Sequence, residues 1–269
     1  MNCFELNSNS IPSLSEPLRV NILGVGVSAI HMDLALAQIG EWIARCERQY
    51  VCVTNVHLIM ASRRSLELRR ALNRAGMVTP DGMPLVWFSR LRGFSQVQRV
   101  YGPDLLLAAC QRSLVTGWGH YFYGGGPGVA ETLVARLSKR FPGLKLCGCA
   151  APPFRPLTGA EDQADVAQIN ASGADLLWVG LGAPKQERWM ASHLGRVTVP
   201  VMLGVGAAFD FHAGLVPQAP RWLQRAGLEW LFRLASEPRR LWKRYLFNNP
   251  AFLFLAALQL AGLKKYSLD

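Results

Sequence analysis

The chain alternates short apolar runs with longer stretches in which apolar residues recur every three or four positions. The runs are RVNILGV (Arg19–Val25), QYVCVTN (Gln49–Asn55), MVTPDG (Met77–Gly82), HYFYGGG (His120–Gly126), LKLCGCA (Leu144–Ala150), DLLWVGLG (Asp175–Gly182) and VPVMLGVG (Val199–Gly206). Each is followed by turn residues and reads as a strand. Helical spacing predicts helices over Asp33–Arg48, Asp104–Leu114, Gly128–Phe141, Gly159–Ser172 and Pro184–Leu194. Strand, turn and helix in repeated succession predict an α/β fold, with a mostly parallel, Rossmann-like sheet flanked by helices. Near Pro217–Pro220 the alternation stops and only helical spacing continues, with turn signals at Gly227 and Glu237–Pro238. Three regions follow: a polar leader over 1–18, an α/β core over 19–213 and a helical appendage over 214–269.

Charge sharpens that division. Between Arg221 and Lys265 stand nine Lys or Arg against two Glu, which places +7 of a whole-chain charge of +11 in the appendage. Trp222, Leu223, Leu228, Leu231 and Phe232 form an apolar stripe at helical spacing among those cations. A basic, amphipathic segment suits an anionic membrane surface. The apolar run from Pro250 to Leu263 is about a dozen residues, short of the roughly 20 that span a bilayer. The leader has neither the basic start nor the apolar centre of a signal peptide. Six cysteines show no Cys-x-x-Cys pair and no histidine at zinc-ligand spacing, so a reducing, cytoplasmic setting is expected and no metal site is indicated. No nucleic-acid-binding motif accompanies the basic tail, which argues against a nucleic-acid partner.

In an open α/β sheet ligands sit outside the carboxyl ends of the strands, so the residues that close each run matter most. Thr54–Asn55, Asp81–Gly82, Gly124–Gly126, Gly182–Gln186 and Gly204–Asp210 are expected to converge on one cleft. Gly124, Gly125 and Gly126 open a helix whose amides suit a phosphate, or they only make a tight turn. The segment lacks the Gly-Lys-Ser/Thr ending of an ATP-hydrolysing loop. Gly24-Val-Gly26-Val-Ser-Ala29 meets the dinucleotide fingerprint formally, but the next strand ends in Thr54–Asn55 with no acid for a ribose diol, which leaves a nicotinamide enzyme as a weak alternative. Asp81 is either a general base at the mouth of the cleft or a turn residue. Arg99 either binds phosphate or pairs with an acid. Gln186, in the first turn of its helix, either offers an amide to a sugar or nucleobase or lies in a solvated surface helix. Of the histidines, only His57 is placed to face the cleft.

Taken in order, TNVH (Thr54–His57), PDGMPLVW (Pro80–Trp87), RVYGPDL (Arg99–Leu105), YGGGPGVAE (Tyr123–Glu131), GAPKQERWM (Gly182–Met190) and the stretch from Gly204 to Tyr245 resemble the WecG/TagA/CpsF glycosyltransferase family. The resemblance implies an inverting, metal-independent transferase without a cofactor. Such an enzyme moves a sugar from a UDP-sugar donor to a polyprenyl-diphosphate-linked acceptor, as a peripheral protein on the inner face of the bacterial cytoplasmic membrane. It further implies that Asp81 is the base and that Thr54, Asn55 and Gln186 contact substrate. Arg99, Arg233 and Arg240 would face the diphosphate, with Gly124, Gly125, Gly126 and Asp210 at the nucleotide. Family members often carry Thr two places before the Asn, where this chain has Val53, and Thr stands one place before, at Thr54. A homo-oligomer is compatible with this reading, and the donor sugar is left open between N-acetylmannosamine, its uronic acid and glucose.

Overall fold

The structure is a computed structural model that describes residues 17–268, with the side chains of Arg240 and Arg244 outside the description. The leader through residue 16 therefore lies outside the described residues. Six parallel strands form the central sheet in the order β4-β3-β8-β7-β5-β6. They are β3 (Gln49–Thr54), β4 (Met77–Pro80), β5 (His120–Gly124), β6 (Leu146–Ala150), β7 (Leu176–Gly180) and β8 (Val201–Gly204). The α/β, Rossmann-like class expected from the pattern is what is found.

The first run departs from it. Arg19–Val25 does not join the sheet; β1 (Arg19–Ile22) turns back at once and pairs antiparallel with β2 (Val25–Ser28). Leu23 and Gly24 make this reversal with positive φ of 51° and 92°, the backbone a two-residue hairpin turn requires. The left-handed conformation is unfavourable for leucine, and two hydrogen bonds hold it: Leu23 N donates to Gln259 Oε1 at 3.0 Å and Gly24 N to Asn21 Oδ1 at 2.9 Å. Gly24 and Gly26 thus belong to a hairpin and open no helix, since α1 (Met32–Ala44) starts well beyond them. The formal dinucleotide fingerprint has no phosphate-binding geometry.

Period-two alternation divides the core. Tyr50 and Cys52 of β3, Tyr121 and Tyr123 of β5 and Leu177 and Val179 of β7 point to one face. Val51, Val53, Phe122, Trp178 and Leu203 fill the other. The first face is covered by α2 (Val56–Ser62), α3 (Leu66–Arg74) and α8 (Lys185–His193). The second is covered by α1, α5 (Gly102–Thr116), α6 (Val129–Arg140) and α9 (Ala208–Ala213). The remaining core helices are α4 (Met83–Leu91) and α7 (Gly159–Ala171). All five helices expected from spacing are present; α2, α3, α4 and α9 are additional and short. His120 is buried behind them, accepting from Trp178 Nε1 at 2.9 Å, and burial lowers its pKa to about 4, as suits a structural histidine. Cys52, Cys110, Cys147 and Cys149 are free thiols.

Beyond Pro220 come α10 (Arg221–Arg225), α11 (Glu229–Ser236) and α12 (Pro238–Leu260). Pro250 sits inside α12 without ending it. The second half of α12 lies on α2 and buries Phe252 and Ala256 in the first core face. Gln259 Nε2 donates to Asn21 O at 2.9 Å and Asn21 Nδ2 donates to Tyr266 O at 2.7 Å, which ties the chain's end to its first hairpin. Toward solvent, by contrast, Trp222, Leu246, Phe247, Leu253 and Phe254 are each more than 60% exposed. Among the described residues no helix is long and apolar enough to cross a membrane.

Candidate active site

All six strand ends open on one side of the sheet, where the crevice of a parallel sheet is expected. Asn55 follows β3 and caps α2, its Oδ1 accepting from His57 N at 3.1 Å and Leu58 N at 3.4 Å. Asp81 follows β4, held by its own N–H donating to Thr54 O at 2.8 Å. Arg99 Nε donates to the Asp81 carbonyl, and Arg99 Nη2 lies 3.6 Å from Asp81 Oδ1. That carboxylate oxygen has no hydrogen-bond partner. Burial is the largest influence on Asp81 and pushes its pKa up to about 6, with the nearby Glu229 carboxylate adding to the rise and Arg99, Asn55 and Arg233 opposing it. A carboxylate so placed ionises near neutral pH and keeps an open acceptor, the two properties a general base needs.

The opposite wall comes from α11. Glu229 Oε2 receives Arg99 Nη2 at 2.5 Å and its Oε1 accepts from Tyr101 OH at 2.9 Å, while the Arg99 guanidinium lies over the Tyr101 ring at 4.0 Å. Arg233, one turn further on, lies over Phe211 at 5.7 Å and its Nε has no hydrogen-bond partner. Arg221 pairs with Asp104 at 2.6 Å outside the cleft.

Between the walls lie two compartments. The larger, about 630 Å³, runs over the β5, β6, β7 and β8 ends and is bounded by Gly125, Gly126, Gln186, Gly206 and Asp210. The smaller, about 100 Å³, lies between α4 and the appendage and is bounded by His57, Met83, Trp230, Tyr245 and Asn248. Four residues line both: Asn55, Asp81, Glu229 and Arg233. Among the described residues no group of three His, Cys, Asp or Glu gathers as a metal site.

The structure brings together most of the residues singled out from sequence. Asp81, Asn55, Arg99, Gln186, Arg233, Gly125, Gly126 and Asp210 all line the cleft. Two stand behind it. Thr54 is fully buried with its hydroxyl donating to Cys52 O at 3.2 Å, and its neighbour Val53 is the residue at the wall. Gly124 stands opposite Gly180 where β5 pairs with β7, so close that a Cβ would sit 2.6 Å from a backbone carbon. The side chain of Arg240 lies outside the described residues. Sequence reasoning passed over Glu229, Tyr101, Trp230, Tyr245 and Asn248. The signal for Glu229 was its being one of two acids among nine cations between Arg221 and Lys265.

The comparisons with known proteins agree with this architecture. The profile of the glycosyl transferase WecG/TagA/CpsF family matches residues 20–266, and the chain belongs to that family. It is a glycosyltransferase. Among its relatives is the N-acetylglucosaminyldiphosphoundecaprenol N-acetyl-beta-D-mannosaminyltransferase of Bacillus spizizenii (strain ATCC 23059 / NRRL B-14472 / W23), 29% identical over 224 residues, which cover 80% of this chain and 84% of that protein. The protein of the same description from Bacillus subtilis (strain 168) is 28% identical over 200 residues, covering 73% of this chain and 74% of its own length.

Proposed function

We propose that this protein transfers an N-acetylmannosamine-type sugar from a UDP-sugar to a polyprenyl-diphosphate-linked acceptor, with inversion and without a metal ion. The observation that carries the reading is the junction: Asp81, with an open carboxylate oxygen, lines both the roomy polar compartment and the small one beside the appendage. The donor takes the larger compartment, its diphosphate toward the amides at Gly125–Gly126 and the Arg233 guanidinium. The acceptor enters through the smaller one, where Trp230, Tyr245 and Met83 offer apolar surface.

In the transfer step the acceptor hydroxyl oxygen bonds to the anomeric carbon from the face opposite UDP. The bond from that carbon to the phosphate oxygen breaks, its electron pair leaves on UDP, and the hydroxyl proton passes to Asp81. Charge building on the diphosphate meets the Arg233 guanidinium and the amides at Gly125–Gly126, in the role a metal ion would otherwise take. The donor and metal independence rest on the family resemblance and on these groups; N-acetylmannosamine is the sugar in the names of both relatives. The appendage over 214–269, basic and bearing exposed Trp222, Phe247 and Phe254, rests on the inner membrane face and delivers the lipid-linked acceptor.

The experiment is Asp81→Asn, which removes the proton acceptor while keeping bulk. Transfer from UDP-N-acetylmannosamine falls by about 10²- to 10⁴-fold while UDP affinity by calorimetry stays within about tenfold. Near-normal turnover would remove Asp81 from the mechanism.

A further inference from the structure

Behind the donor compartment lies a second buried carboxylate, Glu187, with none of its surface exposed. It follows Gln186 in α8 and accepts from Gln186 Nε2 at 2.9 Å through Oε1, while Oε2 has no partner. A buried carboxyl with one oxygen unpartnered is costly to the fold once it ionises, so its retention needs a reason.

The geometry of Gln186 supplies one. Its amide lies across the end of β8, where a methyl group on Gly204 would come within 3.1 Å of Nε2 and one on Gly206 within 3.3 Å of Oε1. The nitrogen thus sits by the strand and the oxygen by the following loop, on the cleft side. Gln186 is 3% exposed and lines the larger compartment, and Oε1 has no hydrogen-bond partner. An unsatisfied buried carbonyl is destabilising until something donates to it. The two ends of a glutamine amide differ little in shape, and an ionised carboxylate, which can only accept, makes one orientation far better than the other.

Resting on the reading of the cleft as a UDP-sugar site, we infer that Glu187 is a positioning residue: it fixes the Gln186 amide with its carbonyl toward the donor. The site thereby selects a ligand group that gives a hydrogen bond at that point. The imide N–H of uracil, the N–H of an N-acetyl substituent and a sugar hydroxyl share this chemistry. A ligand presenting only an acceptor there is rejected.

Glu187→Gln tests this, because a neutral amide at 187 can donate or accept and leaves Gln186 free to lie either way. The variant melts at or above the wild-type temperature, since a buried charge is gone, yet binds UDP-N-acetylmannosamine about tenfold more weakly by calorimetry. Gln186→Ala weakens binding at least as much, and the double variant is no weaker than Gln186→Ala alone. An equal loss for UDP assigns the donating group to the nucleotide; unchanged UDP binding assigns it to the sugar. Wild-type affinity in Glu187→Gln, penalties that multiply in the double variant, or loss of binding together with melting temperature would overturn the inference. Should the wild type bind neither UDP nor the UDP-sugar, the functional reading fails by itself. Hydrogen exchange of the Gln186 side-chain amide then decides the role of Glu187: exchange at least about tenfold faster in Glu187→Gln supports it, and equal rates overturn it.

Discussion

The two walls of the cleft are built on different principles. The sheet wall is made of strand ends, and its polar groups are backbone amides, Asn55, Gln186 and Asp81, carried where a strand ends or the next helix begins. The appendage wall brings charge and aromatic surface, Glu229, Arg233, Trp230 and Tyr245, on helices that contribute few side chains to the core until Phe252. The first wall is rigid because a parallel sheet leaves its loops little freedom. The second is positioned by a few ties: Glu229 to Arg99 and Tyr101, Arg221 to Asp104, Asn248 to His57 at 3.3 Å, and the buried end of α12. In the proposed reading, chemistry that must stay in place lies on one side, and what meets the lipid-linked acceptor lies on the other.

That contrast can be broken hardest at Phe252. Its side chain is 2% exposed, so Phe252→Ala leaves a cavity where α12 meets α2 and lowers stability by about 3–5 kcal/mol in urea unfolding. Trp222→Ala, at a side chain 67% exposed, changes stability by no more than about 0.5 kcal/mol while weakening sedimentation with anionic vesicles. Arg233→Ala tests the appendage wall without touching its anchor: kcat/KM for transfer drops by roughly 10²-fold, with melting unchanged. If Arg233→Ala transfers normally, the cations that meet the leaving group come from elsewhere.

Much of the sheet wall was legible in the sequence. Short apolar runs that end in Thr-Asn, Asp-Gly or Gly-x-Gly mark where a parallel strand delivers its last residue, and those ends line the cleft. The appendage wall was not legible in the same way, because Glu229 and Arg99 are 130 positions apart and only the folded chain brings them together. The hairpin at Leu23–Gly24 escaped for a different reason. A leucine with positive φ has no local signature, and the bond that sustains it comes from Gln259, 236 positions away. Thr54 and Val53 exchanged roles because alternation along a strand places neighbours on opposite faces, and a shift of one residue turns a wall into a core position.

Two smaller effects separate the carboxylates on either side of Gln186. Asp81 has its pKa raised to about 6, so transfer is level above that pH and falls about tenfold per pH unit below it as the base takes up a proton. A pH profile that stays flat through this range would argue for a different proton acceptor. Glu187 is pushed up to about 7, chiefly by burial. The native state therefore holds this proton more tightly than the unfolded chain, and stability present at acid pH is lost as pH rises through about 7. Glu187→Gln lacks that loss, so its advantage in melting temperature over the wild type widens from about pH 5 to about pH 8.

The bonds between Gln259, Tyr266 and the first hairpin also fix an order of events during synthesis. A ribosome releases the strands of the core first, but Leu23 and Asn21 wait for partners that follow 236 to 245 positions later in the chain. The nascent chain can assemble its sheet early and still lack both the wall that carries Arg233 and the clasp that closes its beginning. The half of the cleft built on strand ends is therefore complete before the half that α11 brings.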